Sequence, residues 1–280
     1  MIRNAIPEFA IVGHPNEGKS SVLSTLAEDD SVRISATPGE TTVCRTFPVI
    51  IDGQEMLRFT DTPGFQNPSR LLSELKNRFS SSSNPIEDFR AYALDVPELH
   101  DDCELLKPLE RGAGIIYIVD GARPVRNVDR AEMEILRLSG RPRMAIINCK
   151  HEDEQYLEEW KIEFRKNFNS NRRFNAHRAT YIERIDLLEA LKSIDQDWQE
   201  TLEKIVYTFK KDWQNRNSVT VDLITDLLRD ALSLKLSENL APTKDARQPQ
   251  EKLFTKYSEK IKQKERHSHK QIKQLFKHNI

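Results

Sequence analysis

Short apolar runs alternate with amphipathic stretches over the first two thirds of the chain. Phe9-Ala10-Ile11-Val12, Ala113 to Val119 and Met144-Ala145-Ile146-Ile147 are almost continuously hydrophobic, the pattern of strands buried on both faces of a parallel sheet. Ser20 to Leu26, Asp129 to Leu138, Tyr156 to Phe168 and Ile185 to Ile194 place apolar residues at helical spacing, and Arg173-Phe174-Asn175 reads as a short further strand. Val43 to Ile51 and Met56 to Thr60 read as two strands joined at Asp52-Gly53 into a hairpin. Strands alternating with helices predict an α/β fold, a three-layer sandwich around a mainly parallel sheet. Two polar stretches interrupt this order. Asp29 to Thr42, with Pro38-Gly39, reads as a mobile loop, and the region near 66–111, with Ser80 to Ser83, reads as an insertion or a flexible switch region.

From about Asp195 the pattern becomes helical throughout. Trp198, Leu202, Ile205, Val206 and Phe209 share helical spacing, as do Leu223, Leu227, Leu228 and Leu232. Pro242 and Pro249 then interrupt before a final helix around Phe254, Tyr257 and Ile261. The expected organisation is an α/β domain over 1–195 and a helical appendage over 196–280, whose apolar stripes are packing surface against the first domain or a protein partner.

Composition narrows the class. With 280 residues, 38% hydrophobic and 31% charged, the chain has the make-up of a soluble globular protein. No run approaches the roughly 18 apolar residues of a membrane span, and the first strand begins too early for a signal peptide to precede it. A cytoplasmic protein is expected, with peripheral contact to a membrane as the variant. Cys44, Cys103 and Cys149 are odd in number and lack metal-ligand spacing, so they read as thiols in a reducing compartment. The net charge of −1 conceals an asymmetry: residues 244–280 hold 11 Lys and Arg against 4 Asp and Glu, a net +7, which leaves −8 for the rest. Such a basic tail suits RNA or anionic lipid, or is simply a solvated helix face.

The chemistry begins at Gly13-His14-Pro15-Asn16-Glu17-Gly18-Lys19-Ser20, which fits the phosphate-binding P-loop pattern G-x-x-x-x-G-K-[ST]. Gly13 and Gly18 let backbone N–H groups of the loop, including those of Asn16, Glu17 and Ser21, close around phosphates. Lys19 brings a point charge to the β- and γ-phosphates, and Ser20 offers a hydroxyl to Mg²⁺. Strand, loop and helix stand in the required order, so the helix turns its positive end toward the phosphates. Further along, Thr41 lies in a loop that can cover the γ-phosphate and complete the Mg²⁺ shell. Asp61 ends a strand where its carboxylate can hold Mg²⁺, and the N–H of Gly64 can sense the γ-phosphate. Asn148 ends a later strand at the place for base recognition. His14 is given no catalytic role. His267 and His269 lack a ligand cluster, and Trp160, Trp198 and Trp213 fit helix packing better than base stacking.

Thr37-Pro38-Gly39-Glu40-Thr41, Asp61-Thr62-Pro63-Gly64 and the P-loop with Pro15-Asn16 together resemble the Era-like branch of P-loop GTPases over roughly residues 8–194. More narrowly, Val12 to Asn16, Glu104-Leu105-Leu106, Ile118 to Gly121, Glu132 to Arg137 and Phe174 to His177 resemble bacterial GTPases that carry a C-terminal domain of unknown function 3482. The resemblance implies a P-loop GTPase fold, GTP and GDP as ligands and Mg²⁺ as cofactor. It makes Asn148, Lys150, Asn175 and Ala176 the base-contacting residues. It also implies that Asn16 is a candidate K⁺ ligand and that a natural protein could continue beyond Ile280.

Two departures qualify it. The family's N-K-x-D base-reading segment is here Asn148-Cys149-Lys150-His151, without the carboxylate; Glu152 or Asp153 either reaches in from the next turn or merely begins a helix. Phe65 stands where Ras-like enzymes place a water-orienting glutamine, and Gln66 follows one residue later. A Mg²⁺-dependent GTP-binding switch with slow hydrolysis is therefore expected, with Lys19, Thr41, Gly64 and Gln66 at the reacting phosphate. The alternatives are a nucleotide-regulated binding module with negligible hydrolysis and an ATPase with relaxed base specificity.

Overall fold

A computed structural model describes residues 6–14, 17–27, 43–51, 53–149, 155–175, 180–239 and 247–276. Among the described residues six strands form one sheet: β1 (Glu8–Val12), β2 (Arg45–Ile51), β3 (Gln54–Asp61), β4 (Gly114–Asp120), β5 (Arg143–Asn148) and β6 (Ser170–Phe174). Their spatial order is β2-β3-β1-β4-β5-β6. All neighbours pair in parallel except β2 with β3, which form the antiparallel hairpin at one edge. Pro48 sits within β2, where an edge strand tolerates its missing N–H.

The predicted helices are present with shifted ends: α1 (Lys19–Ala27), α5 (Asn127–Leu138), α6 (Leu157–Asn167) and α7 (Tyr181–Leu191). The start of α5 precedes Asp129 because the Asp129 carboxylate accepts the Arg126 backbone N–H at 2.7 Å, as the third residue of a capping box.

The polar region read as an insertion or flexible switch is mostly helical. It holds α2 (Pro68–Arg78), α3 (Pro85–Ala93), a 3₁₀ turn (Pro97–Leu99) and α4 (His100–Glu110). Asn67-Pro68 and Asn84-Pro85 start the first two, with proline at a position whose N–H has no helical partner. Leu71, Leu75, Ile86, Phe89, Leu105 and Leu109 are buried, so the serines between α2 and α3 are a surface turn on a packed layer. Pro108 lies inside α4 and cannot donate to the Glu104 carbonyl one turn back. That carbonyl instead accepts the Cys44 thiol at 3.2 Å, while the Glu104 carboxylate accepts the Cys44 backbone N–H at 3.1 Å.

Alternation along the central strands sorts the core. Ala10, Val12, Ile115, Tyr117, Val119, Ala145 and Ile147 pack with α2 to α6 in one cluster, which includes Trp160 and Phe164. Phe9, Ile11, Ile116, Ile118, Met144 and Ile146 point the other way and are fully buried, on the side where α1 meets β1 and β3 and α7 meets α1 and β6. Trp198 closes an edge of this core against Phe9, ring centroids 5.1 Å apart.

The chain divides into two compact units, 1–207 and 208–280. The second contains the later part of α8 (Gln199–Ser233) and α9 (Arg247–Leu275), which run antiparallel. The Tyr257 hydroxyl donates to the Ala231 carbonyl at 3.3 Å, Trp213 meets Phe276 edge-on at 5.7 Å, and Lys264 pairs with Asp230. Pro249, expected to precede the last helix, falls in its first turn, where its missing N–H costs nothing. Among the described residues no helix is long and apolar enough to cross a membrane.

Phe164 is fully buried between Tyr117, Trp160 and Phe168. Phe164→Ala should therefore destabilise the first unit by about 3–5 kcal/mol, read as a lowered urea midpoint at unchanged slope, whereas Phe164→Leu should cost well under half of that.

Candidate functional site

The site lies at the carboxyl ends of β1, β3, β4 and β5, where a parallel sheet opens toward ligands. Leaving β1, the chain turns at Gly13 (φ 151°) so close to β4 that a Cβ there would collide with the Ile118 carbonyl. Gly18, at φ 96°, makes the second turn that glycine permits, into α1. Lys19 and Ser20 stand in the first turn of α1. The Lys19 ammonium bridges the loop, donating to the carbonyls of Gly13 at 2.8 Å and His14 at 3.0 Å. Burial lowers the Lys19 pKa, against the pull of Asp61, Glu132 and Glu17. Ser21 is buried, and its carbonyl accepts the Thr25 hydroxyl at 2.9 Å.

Asp61 ends β3 directly beside Ile11 of β1 and is 6% exposed. The Thr62 hydroxyl donates to the Ile11 carbonyl at 2.8 Å, clasping the two strand ends together. Gly64 is buried and the Phe65 ring enters the core, whereas Gln66 is exposed. The Gln66 backbone N–H is held by the buried Asp102 carboxylate at 3.1 Å, and its side-chain amide lies 3.5 Å from the Gly64 carbonyl. Asn148, fully buried at the end of β5, donates its amide to the Glu17 carbonyl at 2.9 Å and so ties the P-loop to the strand expected to read the base. Asn175 follows β6 and is half-buried. Asn16, Thr41, Lys150 and Ala176 lie outside the described residues, as do Pro15, His151, Glu152, Asp153 and His177.

A second layer under the loop was missed from the sequence. The Glu17 carboxylate accepts the Asp120 backbone N–H and pairs with Arg123 at 2.6 Å. Burial pushes the Glu17 pKa up, opposed by Arg123. Arg123 also grips both oxygens of the fully buried Asp129, at 2.7 and 2.9 Å, and stacks over Trp160 at 5.0 Å. The Trp160 indole N–H donates to the Arg123 carbonyl at 2.8 Å. Burial works against the Asp129 charge, but Arg123 and Arg126 hold its pKa below the ordinary value. Beside this, His14 faces Glu132 of α5. The available signal was Asp129 and Glu132 lying among the apolar positions of an amphipathic helix, where a polar residue needs a partner.

Comparison with known proteins bears on the same residues. The family model described as 50S ribosome-binding GTPase matches residues 8–149, and one described as a domain of unknown function (DUF3482) matches 163–280. GTPase Era of Nitrosomonas eutropha is 31% identical over 114 residues, which cover 40% of this chain and 38% of that protein. GTPase Der of a Sulfurihydrogenibium species is 24% identical over 208 residues, covering 74% of this chain and 39% of that protein. The chain thus spans about two fifths of the length of these relatives. The crystal structure of Era in complex with MgGDPNP and nucleotides 1506–1542 of 16S ribosomal RNA shares the fold, with a TM-score of 0.50 and 20% identity over 68% of this chain and 57% of that one.

Removing Arg123 takes the guanidinium from two buried carboxylates, leaving Glu17 with the Asp120 N–H and Asp129 with the half-exposed Arg126. Arg123→Met should destabilise the first unit by about 3–5 kcal/mol near neutral pH. Because the Asp129 pKa is depressed in the fold, its contribution is present above the ordinary carboxylate value and lost as pH falls through the folded one, so the deficit of the variant should shrink in acid. Urea unfolding of both proteins at neutral pH and near pH ~3.5 measures this.

Proposed function

The chain belongs to the 50S ribosome-binding GTPase family, and we propose that it is a Mg²⁺-dependent GTP-binding switch that hydrolyses GTP slowly. The observation that carries this reading is the convergence of Lys19, Asp61 and the Asn148–Glu17 tie at adjacent parallel strand ends. In this reading the chain's 1–195 portion is the nucleotide domain. Gly13, Asn16, Glu17, Gly18, Lys19, Ser20 and Ser21 surround the phosphates, and Asn148, Lys150, Asn175 and Ala176 the base. Ser20 and Asp61 are a hydroxyl and a buried carboxylate, hard oxygen donors of the kind Mg²⁺ prefers, and Thr41 is the third protein ligand. Bound there, the ion would neutralise charge on the β- and γ-phosphates.

The reaction is transfer of the γ-phosphoryl group to water, with Lys19, Thr41 and Gly64 positioning it. Slow turnover follows from the residue after Gly64: the Phe65 ring is committed to the core and cannot orient water, while the exposed Gln66 remains the candidate for that role. The same burial of Phe65, with Cys149-Lys150-His151 in the base-reading segment, favours the second reading, a nucleotide-regulated binding module with negligible hydrolysis. The basic segment 244–280 and the RNA held by the Era neighbour make RNA the first partner to test for the helical region, ahead of a protein or an anionic membrane. We place this activity in the cytoplasm.

Lys19→Ala should abolish tight GTP and GDP binding with the fold intact, and Ser20→Ala should remove the Mg²⁺ dependence. Isothermal titration reads both, and unchanged affinity in Lys19→Ala removes the P-loop reading. Competition by ATP and xanthosine triphosphate in the same titration separates GTPase from ATPase. Hydrolysis should rise with K⁺ but not Na⁺, and Asn16→Ala should erase that difference. Equal turnover of the wild type in both salts would place the activation elsewhere and make Gln66→Ala the next variant.

A further inference from the structure

His14 Nε2 and Glu132 Oε1 lie 3.1 Å apart, both atoms are buried, and neither has a hydrogen-bond partner elsewhere among the described residues. The Glu132 side chain is fully buried on α5, and its other oxygen accepts the Tyr117 hydroxyl at 2.7 Å. The two atoms thus have only each other, and the contact needs one proton, carried by the carboxyl group or by the ring nitrogen. An imidazole nitrogen and a carboxyl oxygen at this separation are compatible only if a proton lies between them.

We propose that Glu132 is a positioning residue for the nucleotide site: a buried, neutral carboxylic acid that donates its proton to the His14 ring and so holds the P-loop against α5. This rests on reading the site as nucleotide-binding. The ring could share the proton as a neutral Nε2–H, but the carboxylate this leaves would stand, fully buried, within 4.8 Å of Asp129, whose charge Arg123 and Arg126 fix. The proton therefore belongs on Glu132, and burial with Arg126, Arg123 and Lys19 disfavours an imidazolium at His14, with Asp129 alone opposing them. Burial, with Asp129 and Glu17 adding repulsion, pushes the Glu132 pKa up to about 8, against the Tyr117 hydrogen bond and Arg123. A metal ion suits the cluster less well. His14, Asp129 and Glu132 do bring three ligand atoms within 4.8 Å of one another, but Arg123 and Arg126 already occupy both Asp129 oxygens, and a dication would face their charges.

The pair reaches the site through backbone. His14 is the second residue of the P-loop, its carbonyl accepts Lys19, and α5 packs on α2, the helix that follows Asp61 to Gln66. Deprotonating Glu132 would oblige the ring to turn an N–H toward it, and would add a negative charge beside Asp129 and beneath the proposed phosphate site. Bound phosphate must then raise the Glu132 pKa further, so nucleotide binding favours the protonated acid and weakens as pH rises through about 8.

The test is titration of fluorescent GDP with Mg²⁺ between about pH 7 and about pH 9. The wild-type Kd should rise about tenfold over that range, as expected for one proton needed by the bound state. Glu132→Gln retains a donor for His14 and an acceptor for Tyr117; it should keep the neutral-pH affinity within about threefold and lose the rise. Glu132→Leu cannot donate and should bind about tenfold more weakly at every pH. A flat wild-type profile overturns the proposal, and so does a Gln variant with the full rise, which would assign the titration to Lys19. Tyr117→Phe removes a bond that supports the carboxylate, so it should move the rise to higher pH, and an unmoved midpoint counts against Glu132 even if the other variants fail to fold. Wild-type protein that binds no nucleotide at any pH instead brings down the P-loop reading, and this inference with it.

Discussion

The end of β1 runs so close to β4 that residue 13 has no room for a side chain beside the Ile118 carbonyl. This approach fixes where the loop between β1 and α1 begins, and much of the site follows from it. Lys19 can fold back onto the Gly13 and His14 carbonyls because the loop starts there. Asn148 reaches the Glu17 carbonyl because β5 lies one strand beyond β4, with Asn148 in register with Asp120. Thr62 closes the other side by holding the end of β3 to Ile11. A neutral tie of this kind is worth about 1 kcal/mol and one from the Lys19 ammonium roughly 1.5–3, and together they hold the described ends of the loop against the strands.

Beneath the loop stands an ionic layer built from Glu17, Arg123, Asp129 and Arg126. Buried ion pairs of this kind add little net stability over an apolar packing of equal volume, since desolvation offsets the attraction. Their effect here is geometric. Arg123 is gripped by Asp129, stacked on Trp160 and hydrogen-bonded through its carbonyl to the same indole, so its guanidinium is presented to Glu17 in one orientation. The carboxylate of Glu17 is thereby held between Arg123 and the Asp120 N–H rather than left free to turn.

The central strands, the P-loop and the order of helices could be read directly from residues, because burial on both faces leaves unbroken apolar runs and the loop demands glycine at fixed places. The helices α2 to α4 could not be read as easily. Their apolar residues are diluted by a serine-rich turn, and their clearest marks, Asn67-Pro68 and Asn84-Pro85, are local signals that the overall polarity of the stretch obscures. Asn148 was placed by its position at a strand end. His14 was dismissed because nothing in sequence spacing connects residue 14 to residue 132; only the fold brings the two side chains together.

Proline in the interior of a helix is usually counted as damage. In α4, Pro108 leaves the Glu104 carbonyl without its helical donor, and the thiol of Cys44, sixty positions earlier in the chain, fills it. Burial holds the Cys44 pKa near 12, so the sulfur keeps its hydrogen and remains a donor under ordinary conditions. Cys44 is the residue immediately before β2. The entrance to the edge hairpin is therefore moored to α4 by a bond that an uninterrupted helix would have kept for itself, so a contact between residues sixty positions apart hangs on a single proline.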